Sequence, residues 1–257
     1  MEFPFYLPLG DWRVHPHPVF EGLAYLLGFR VYLMLRKRRG DVVSKRNRWF
    51  VIIAAICGSA FGSRLLFWLI DPRVTLEHWN NPGFIMGGKT IVGAIIGGLI
   101  AVELTKKAVG IRARTGDLFA LPLCIGIAIG RIGCFLTGLE DDTYGVATSL
   151  PWGIDFGDGI ARHPTQLYEI LVVIGIATWV VLRGRAPHRR GDLFLGFLWG
   201  YLFWRLLVEF IKPDHAWLGL TSIQWACLLT CLVYARDVPR IFGRRGPVLA
   251  PVSSGGE

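Results

Sequence analysis

Three short stretches carry charge where the surrounding chain is apolar. The run LPLCIGIAIGRIGCFLTG, Leu121 to Gly138, holds a single arginine, Arg131, between Gly130 and Gly133. A second apolar run holds Tyr201, Arg205 and Glu209, spaced four apart, so a helix puts all three on one face. The block RHPTQLYE, Arg162 to Glu169, joins a proline-stopped loop to a helix start and ends on Glu169. Thr165 is placed to cap that helix, and His163 and Gln166 add hydrogen-bonding groups. Arg64 is one more cation within an apolar run. Such side chains are costly in lipid and normally face a bundle interior, paired or lining a polar cavity. Simple pairing accounts for part of this: Arg205 and Glu209 can close an intrahelical ion pair, and Glu169 lies near enough to a span start to meet water. Two arginines on one cavity do more. The guanidinium is a rigid fork of donors suited to phosphate, and the phosphate at the outer half of a membrane is a lipid headgroup. A phospholipid-handling cavity, a transport path and a ligand-free structural bundle all stay open on these residues alone.

The elements that must position these groups read as membrane spans. The chain has 257 residues, 53% apolar and 18% charged, with a mean hydropathy of +0.45. Ten Trp and sixteen Phe suit a bilayer interface. Seven stretches are long and apolar enough to cross, at about 18–35, 49–70, 84–102, 118–136, 166–182, 193–211 and 219–235. The third is glycine-rich, with Gly93, Gly97 and Gly98 as its packing face. The net charge is +9, and its placement decides its meaning. Residues 36–48 hold seven Lys/Arg, and 103–117, 183–192 and 236–245 hold four each, together 19 of the 28. The alternate loops are poor in Lys/Arg, and the longest, 137–165, is acidic. Short basic loops stay cytoplasmic. The expectation is an all-α polytopic membrane protein of seven transmembrane helices, N-terminus outside and C-terminus cytoplasmic. Residues 1–240 form the membrane domain, and 241–257 form a disordered cytoplasmic tail. The basic residues serve topology and anionic lipid heads rather than nucleic acid. Outer segments 71–83 and 137–165 are expected to form small caps. No cleavable leader is expected in MEFPFYLPLG, which has no basic segment or small-residue cleavage site.

The five cysteines, Cys57, Cys124, Cys134, Cys227 and Cys231, lie in apolar runs and form neither a disulfide framework nor a CxxC pair. They read as buried apolar side chains, with Cys134 set apart by its place beside Arg131. The histidines His15, His17, His78, His163, His188 and His215 are scattered, so no metal site is expected. The GGKT at Gly87 to Thr90 lacks the first glycine of a phosphate loop and lies in a span.

Taken together, five motifs resemble the prolipoprotein diacylglyceryl transferase family of bacterial inner membranes. They are GRIG.F..G at Gly130 to Gly138, PWG..F at Pro151 to Phe156, RHPTQLYE at Arg162 to Glu169, Y...R...EF.KP from Tyr201 to Pro213, and L...Q at Leu220 to Gln224. The resemblance covers about residues 15–235, and the family's seven-span topology agrees with the charge pattern. It implies transfer of the diacylglyceryl group of phosphatidylglycerol to the thiol of a lipobox cysteine in a preprotein, without cofactor or metal. It implies a multi-pass protein of the cytoplasmic (inner) membrane. Arg131 resembles the family's essential arginine, and Arg205 the second. Tyr201 and Glu209 match its neighbours. Tyr25, in GLAYLLGF, matches an early tyrosine, and His163, Gln166, Tyr168 and Glu169 match the loop–helix block. The expected catalytic set is therefore Arg131, Arg205, Glu209 and Tyr201. The expected phospholipid-binding set is Arg131, Arg205, Tyr25, His163, Gln166, Tyr168 and Glu169, with both glutamates orienting arginines.

The sequence also departs from that family. Val92 stands where the family's third span carries a histidine, and Cys134 stands where an asparagine follows GRIG. A glutamate is expected soon after the next glycine; here Leu139 and Glu140 follow Gly138, and the acidic stretch Glu140 to Asp142 offers more than one register for it. Three readings follow: a working transferase with another proton route, for which Lys89, Cys134 or Glu140 can substitute; a relative using another acceptor, with Cys134 as a covalent nucleophile; or a non-catalytic lipid-binding membrane protein.

Overall fold

A computed structural model describes residues 3–10, 12–212 and 218–243. Two three-residue strands, β1 (Leu7–Leu9) and β2 (Trp12–Val14), pair antiparallel ahead of the first helix. Ten helices follow: α1 (Pro16–Arg39), α2 (Lys45–Trp68), α3 (Pro72–Glu77), α4 (Pro82–Gly87), α5 (Ile91–Ala108), α6 (Asp117–Thr137), α7 (Thr165–Arg183), α8 (Asp192–Val208), α9 (Ser222–Val233) and α10 (Val238–Phe242). A second small ribbon, β3 (Ile154–Asp155) with β4 (Ala161–Arg162), lies between α6 and α7. Five helical segments are long and apolar enough to cross a membrane: Pro16–Arg39, Lys45–Trp68, Asp117–Asp141, Thr165–Arg183 and Asp192–Ile211. Their outward faces carry Leu26, Phe29, Ile53, Ile56, Phe61, Leu171 and Ile174, all exposed. A helix apolar on both faces is solvated by lipid rather than water.

The expected third span, 84–102, is divided. Asn81 caps α4, the chain is extended at Gly88, and Thr90 caps α5 by accepting from the Gly93 N–H. A side chain at Gly88 would overlap the Phe67 ring, so the break lies against α2. The last expected span, 219–235, narrows to α9 because Leu218 and Gly219 have positive φ and Thr221 forms a capping box with Gln224. Thr165 does not cap α7. Its hydroxyl donates to the Thr143 carbonyl and so ties the preceding loop to the helix. Cys57 is exposed, whereas the other four cysteines are buried. Ile241, at the start of the expected tail, packs into the core within α10, and 244–257 lie outside the described residues.

Segments 71–83 and 137–165 form the expected caps. Asp71 caps α3. In the longer cap, Phe156 is buried among Phe3, Phe135 and Tyr144. The Asp155 carboxylate receives the N–H groups of Gly157, Asp158 and Gly159. Val146 N–H donates to the Ile211 carbonyl, which anchors the cap to the end of α8. At the opposite end, the Asp117 carboxylate accepts from Gly191, Leu193 and Phe194 N–H groups, and Asp192 pairs with Arg240 at 3.0 Å. These contacts bring three of the basic segments, 103–117, 183–192 and 236–245, together at one end of the bundle.

The α2–α5 pair is a glycine contact, as the third span's composition predicts. A Cβ on Gly97 would lie 2.4 Å from the Gly58 carbonyl oxygen, and one on Gly93 would lie 2.3 Å from that of Gly62. Small residues let the two backbones touch, and packing then holds them. Gly97→Val is expected to destabilise the protein by about 1–3 kcal/mol through overpacking, read as a lowered thermal midpoint in detergent. Gly175→Ala, where a Cβ meets nothing within 4 Å, is expected to leave the midpoint unchanged or slightly raised.

Candidate active site

The polar motifs converge inside the bundle. Arg131 projects from α6, Glu169 from the first turn and a half of α7, and Tyr201 and Arg205 from one face of α8. Glu209 opens the 3-10 turn that follows (Glu209–Ile211). All five are buried, with Arg131 at 5% exposure and Glu169 at 2%. Glu169 is the junction. Its Oε1 accepts the Tyr201 hydroxyl at 2.7 Å and faces Arg131 Nε at 3.0 Å. Its Oε2 accepts from Arg205 Nη1 at 3.1 Å, and Arg205 Nη2 donates to Glu209 Oε2 at 2.7 Å. The pair expected within α8 thus exists, but as one link of a chain across three helices. Both oxygens of Glu169 are engaged, so it orients cations. Two guanidinium groups are pinned around one carboxylate, with donors left over for an anion.

Gln166 lies one turn before Glu169 on α7 and is 1% exposed. Neither its Nε2 nor its Oε1 has a hydrogen-bond partner among the described residues. A buried amide with both ends unsatisfied calls for a ligand or water. The rest of the expected set lies farther out. His163 Nδ1 is 3.2 Å from the Tyr168 hydroxyl, which also accepts from Trp152 Nε1 at 2.8 Å. Tyr25 is exposed on α1 and donates to Glu21. Lys89 pairs with Glu21 at 2.9 Å, and Glu140 lies 3.3 Å from His15. Arg64 bonds the Ala60 carbonyl on its own helix. Val92 is 1% exposed within the apolar core.

Cys134, one turn beyond Arg131, receives Arg131 Nη1 at 3.7 Å. Around its other side stand His17 and Asp141, which sequence reasoning did not join to it. Nothing local signals this, because His17 belongs to the first turn of α1. Gly133 makes the approach, since a Cβ there would sit 2.7 Å from Phe20 and 3.6 Å from the His17 backbone. Gly138, at φ +71°, ends α6 and turns the chain so that Asp141 returns toward it.

The fold and the site define a helical membrane protein with a charged centre enclosed by its bundle. Residues 4–236 match the family described as prolipoprotein diacylglyceryl transferase, and the chain belongs to that family. Among similar proteins are the phosphatidylglycerol–prolipoprotein diacylglyceryl transferases of Methylobacillus flagellatus and Geobacter sulfurreducens. The first is 32% identical over 88% of this chain and 91% of the relative. The second is 32% identical over 86% and 88%. That of Cupriavidus necator is also 32% identical, over 80% and 82%.

Two outcomes test this centre. Glu169→Gln leaves two buried arginines short of their shared anion and is expected to cost about 3–5 kcal/mol. Tyr201→Phe removes one neutral donor and is expected to cost about 1 kcal/mol, both read by unfolding in detergent. Lys212 lies just beyond the span that ends at Ile211. Burial, aided by the Arg205 charge, pushes its pKa down from 10.5 to about 8. Between those values the folded protein holds fewer protons than the unfolded chain, so stability rises with pH from about 8 to 10.5. Lys212→Met is expected to flatten that rise, measured as the difference between the two proteins' midpoints at pH 7.5 and pH 10 (about the limits of that window).

Proposed function

We propose that this protein transfers the diacylglyceryl group of phosphatidylglycerol to the cysteine thiol of a lipobox-containing preprotein, in the bacterial cytoplasmic (inner) membrane. A thioether forms and glycerol phosphate leaves. The observation that carries this reading is the pair of buried arginines, Arg131 and Arg205, held around Glu169 in a chain of this family. Their remaining donors hold the headgroup phosphate and stabilise the charge that develops on the leaving group. Tyr201, Glu169 and Glu209 position the arginines. The unsatisfied Gln166 amide adds a neutral donor and acceptor beside them, suited to the glycerol hydroxyls. His163, Tyr168 and Tyr25 contact the lipid nearer its entry.

The acyl chains need an apolar bed next to this centre. A cavity of about 380 Å³ lies between α5, α6 and α8, lined by Ile91, Ile95, Leu99, Leu123, Ile127 and Phe194. Ile127 is one helical turn from Arg131, so a headgroup on the arginine has apolar space within reach. Seven spans, α1, α2 and α5 to α9, cross the membrane, with the N-terminus outside and the basic end cytoplasmic. The short α9 and the charged end of α5 are completed by their neighbours. The transferase domain takes in residues 1–240 and the rest of α10, whose Ile241 packs into the core, and the cytoplasmic tail follows α10.

Val92 and Cys134 favour one alternative, a related phospholipid-dependent transferase with a different acceptor. A mass measurement separates the two. Purified protein in phosphatidylglycerol bilayers is incubated with a lipobox peptide, whose cysteine is expected to gain a diacylglyceryl thioether. Arg131→Ala is expected to lower the rate by about 100-fold or more. A folded wild-type protein that leaves the peptide unmodified, beside a relative that modifies it, would overturn the prolipoprotein reading.

A further inference from the structure

We propose that His17, Cys134 and Asp141 form a three-ligand site for a divalent cation of the zinc class, and that its remaining position takes the acceptor thiol. The first half stands on the geometry alone, and the second rests on the transferase reading above.

One donor atom from each of the three residues lies within 4.8 Å of the other two. His17 Nδ1 and Asp141 Oδ1 are 2.8 Å apart. Around a tetrahedral ion with bonds of about 2.0–2.3 Å, neighbouring ligand atoms stand roughly 3.3–3.8 Å apart. Small side-chain rotations therefore seat an ion among them. Cys134 lies on α6 and Asp141 on the 3-10 turn that continues it (Gly138–Asp141), while His17 comes from α1, so the fold and not local sequence assembles the site. The donor set of one sulfur, one imidazole nitrogen and one carboxylate oxygen suits zinc-class ions over magnesium or calcium. Structural zinc sites close with four protein ligands, whereas three leave a position for a reactant.

The surroundings hold the donors in place. The Thr143 hydroxyl bonds Asp141 Oδ2, and Glu21 Oε2 stands 3.9 Å from His17 Nε2. Arg131 Nη1 contacts the Cys134 sulfur at 3.7 Å and fixes the direction from which it is approached. The His17 side chain is 39% exposed while that of Asp141 is 6% exposed, so the site opens on one side.

Chemistry excludes the other use of Cys134. Were it the nucleophile, the lipid would end as an alkyl thioether on the enzyme. A thioether sulfur is a poor leaving group, so the chain could not be passed on. As a ligand, Cys134 is never consumed. A thiol bound to a zinc-class ion is deprotonated outright, so the acceptor needs no protein base beside it. The acceptor R–SH releases its proton to water on binding. The sulfur lone pair then forms the C–S bond to the lipid's glycerol carbon, and the C–O bond to phosphate breaks. The bonding pair departs on the phosphate oxygen as glycerol phosphate, beside Arg131.

The test reads metal before activity. The full chain is purified in detergent, stripped and titrated with Co²⁺, then with Zn²⁺. One equivalent per chain is expected, with a near-ultraviolet thiolate-to-cobalt band that zinc abolishes. Cys134→Ser is expected to lose the band, and His17→Gln and Asp141→Asn to weaken cobalt binding by roughly 100-fold. A folded wild-type protein that develops no such band overturns the site without recourse to any variant. A lipobox peptide is expected to shift the visible cobalt bands, and its Cys→Ser counterpart to leave them alone. Unshifted bands, or transfer that survives complete removal of metal, would overturn thiol activation. A zinc-loaded enzyme that binds the peptide thiol yet transfers nothing upholds the site and sinks the transferase reading instead.

Discussion

Glu169 sits between two arginines in the middle of an apolar bundle, and the arrangement around it constrains the rest of the protein. Each guanidinium taken from water into a helix core loses several kcal/mol of hydration, and an ion pair offsets that loss only with near-ideal geometry. Three helices must therefore meet at one depth: α6 to bring Arg131, α7 to bring Glu169, and α8 to bring Tyr201 and Arg205. The cap of residues 137–165 serves the same end, because its bond from Val146 to Ile211 and its tie from Thr165 to Thr143 fix the ends of α8 and α7 relative to α6.

Away from that centre the bundle is held by close approach rather than by charge. Lipid gives no hydrophobic reward for joining apolar helices, so contact area and backbone proximity must do it. Gly58 and Gly62 on α2 against Gly93 and Gly97 on α5 supply such a contact. At the basic end, Asp117 satisfies three N–H groups around the start of α8, which in a low-dielectric setting would otherwise go unpaired. The polar groups of this protein are few, and most are used to set helix positions.

The same economy explains why the region around Cys134 is chemically dense. A polar track runs from Lys89 and Glu21 through His17 and Asp141 to Cys134, and on to Arg131 and Glu169. Val92 is sealed into the apolar core, and the titratable groups lie on the α1 side of Arg131.

Much of this was legible in the residues. Runs of about twenty apolar residues dictate helices in lipid, and the basic clusters at 36–48, 103–117, 183–192 and 236–245 dictate which ends lie together. The four-residue spacing of Tyr201, Arg205 and Glu209 put them on one face, and the cost of a buried charge marked Arg131 and Glu169 as partners in need of company. Tertiary structure alone decided the pairing itself, since the partner of a buried charge is a matter of helix neighbours and not of sequence distance. It also decided the break at Gly88 to Thr90, because an apolar average cannot distinguish one span from a short helix and a capped restart. The meeting of His17 with Cys134 and Asp141 was hidden for the same reason. Spacing reveals ligands within one element, whereas these depend on α1 lying against Gly133 and on the turn at Gly138.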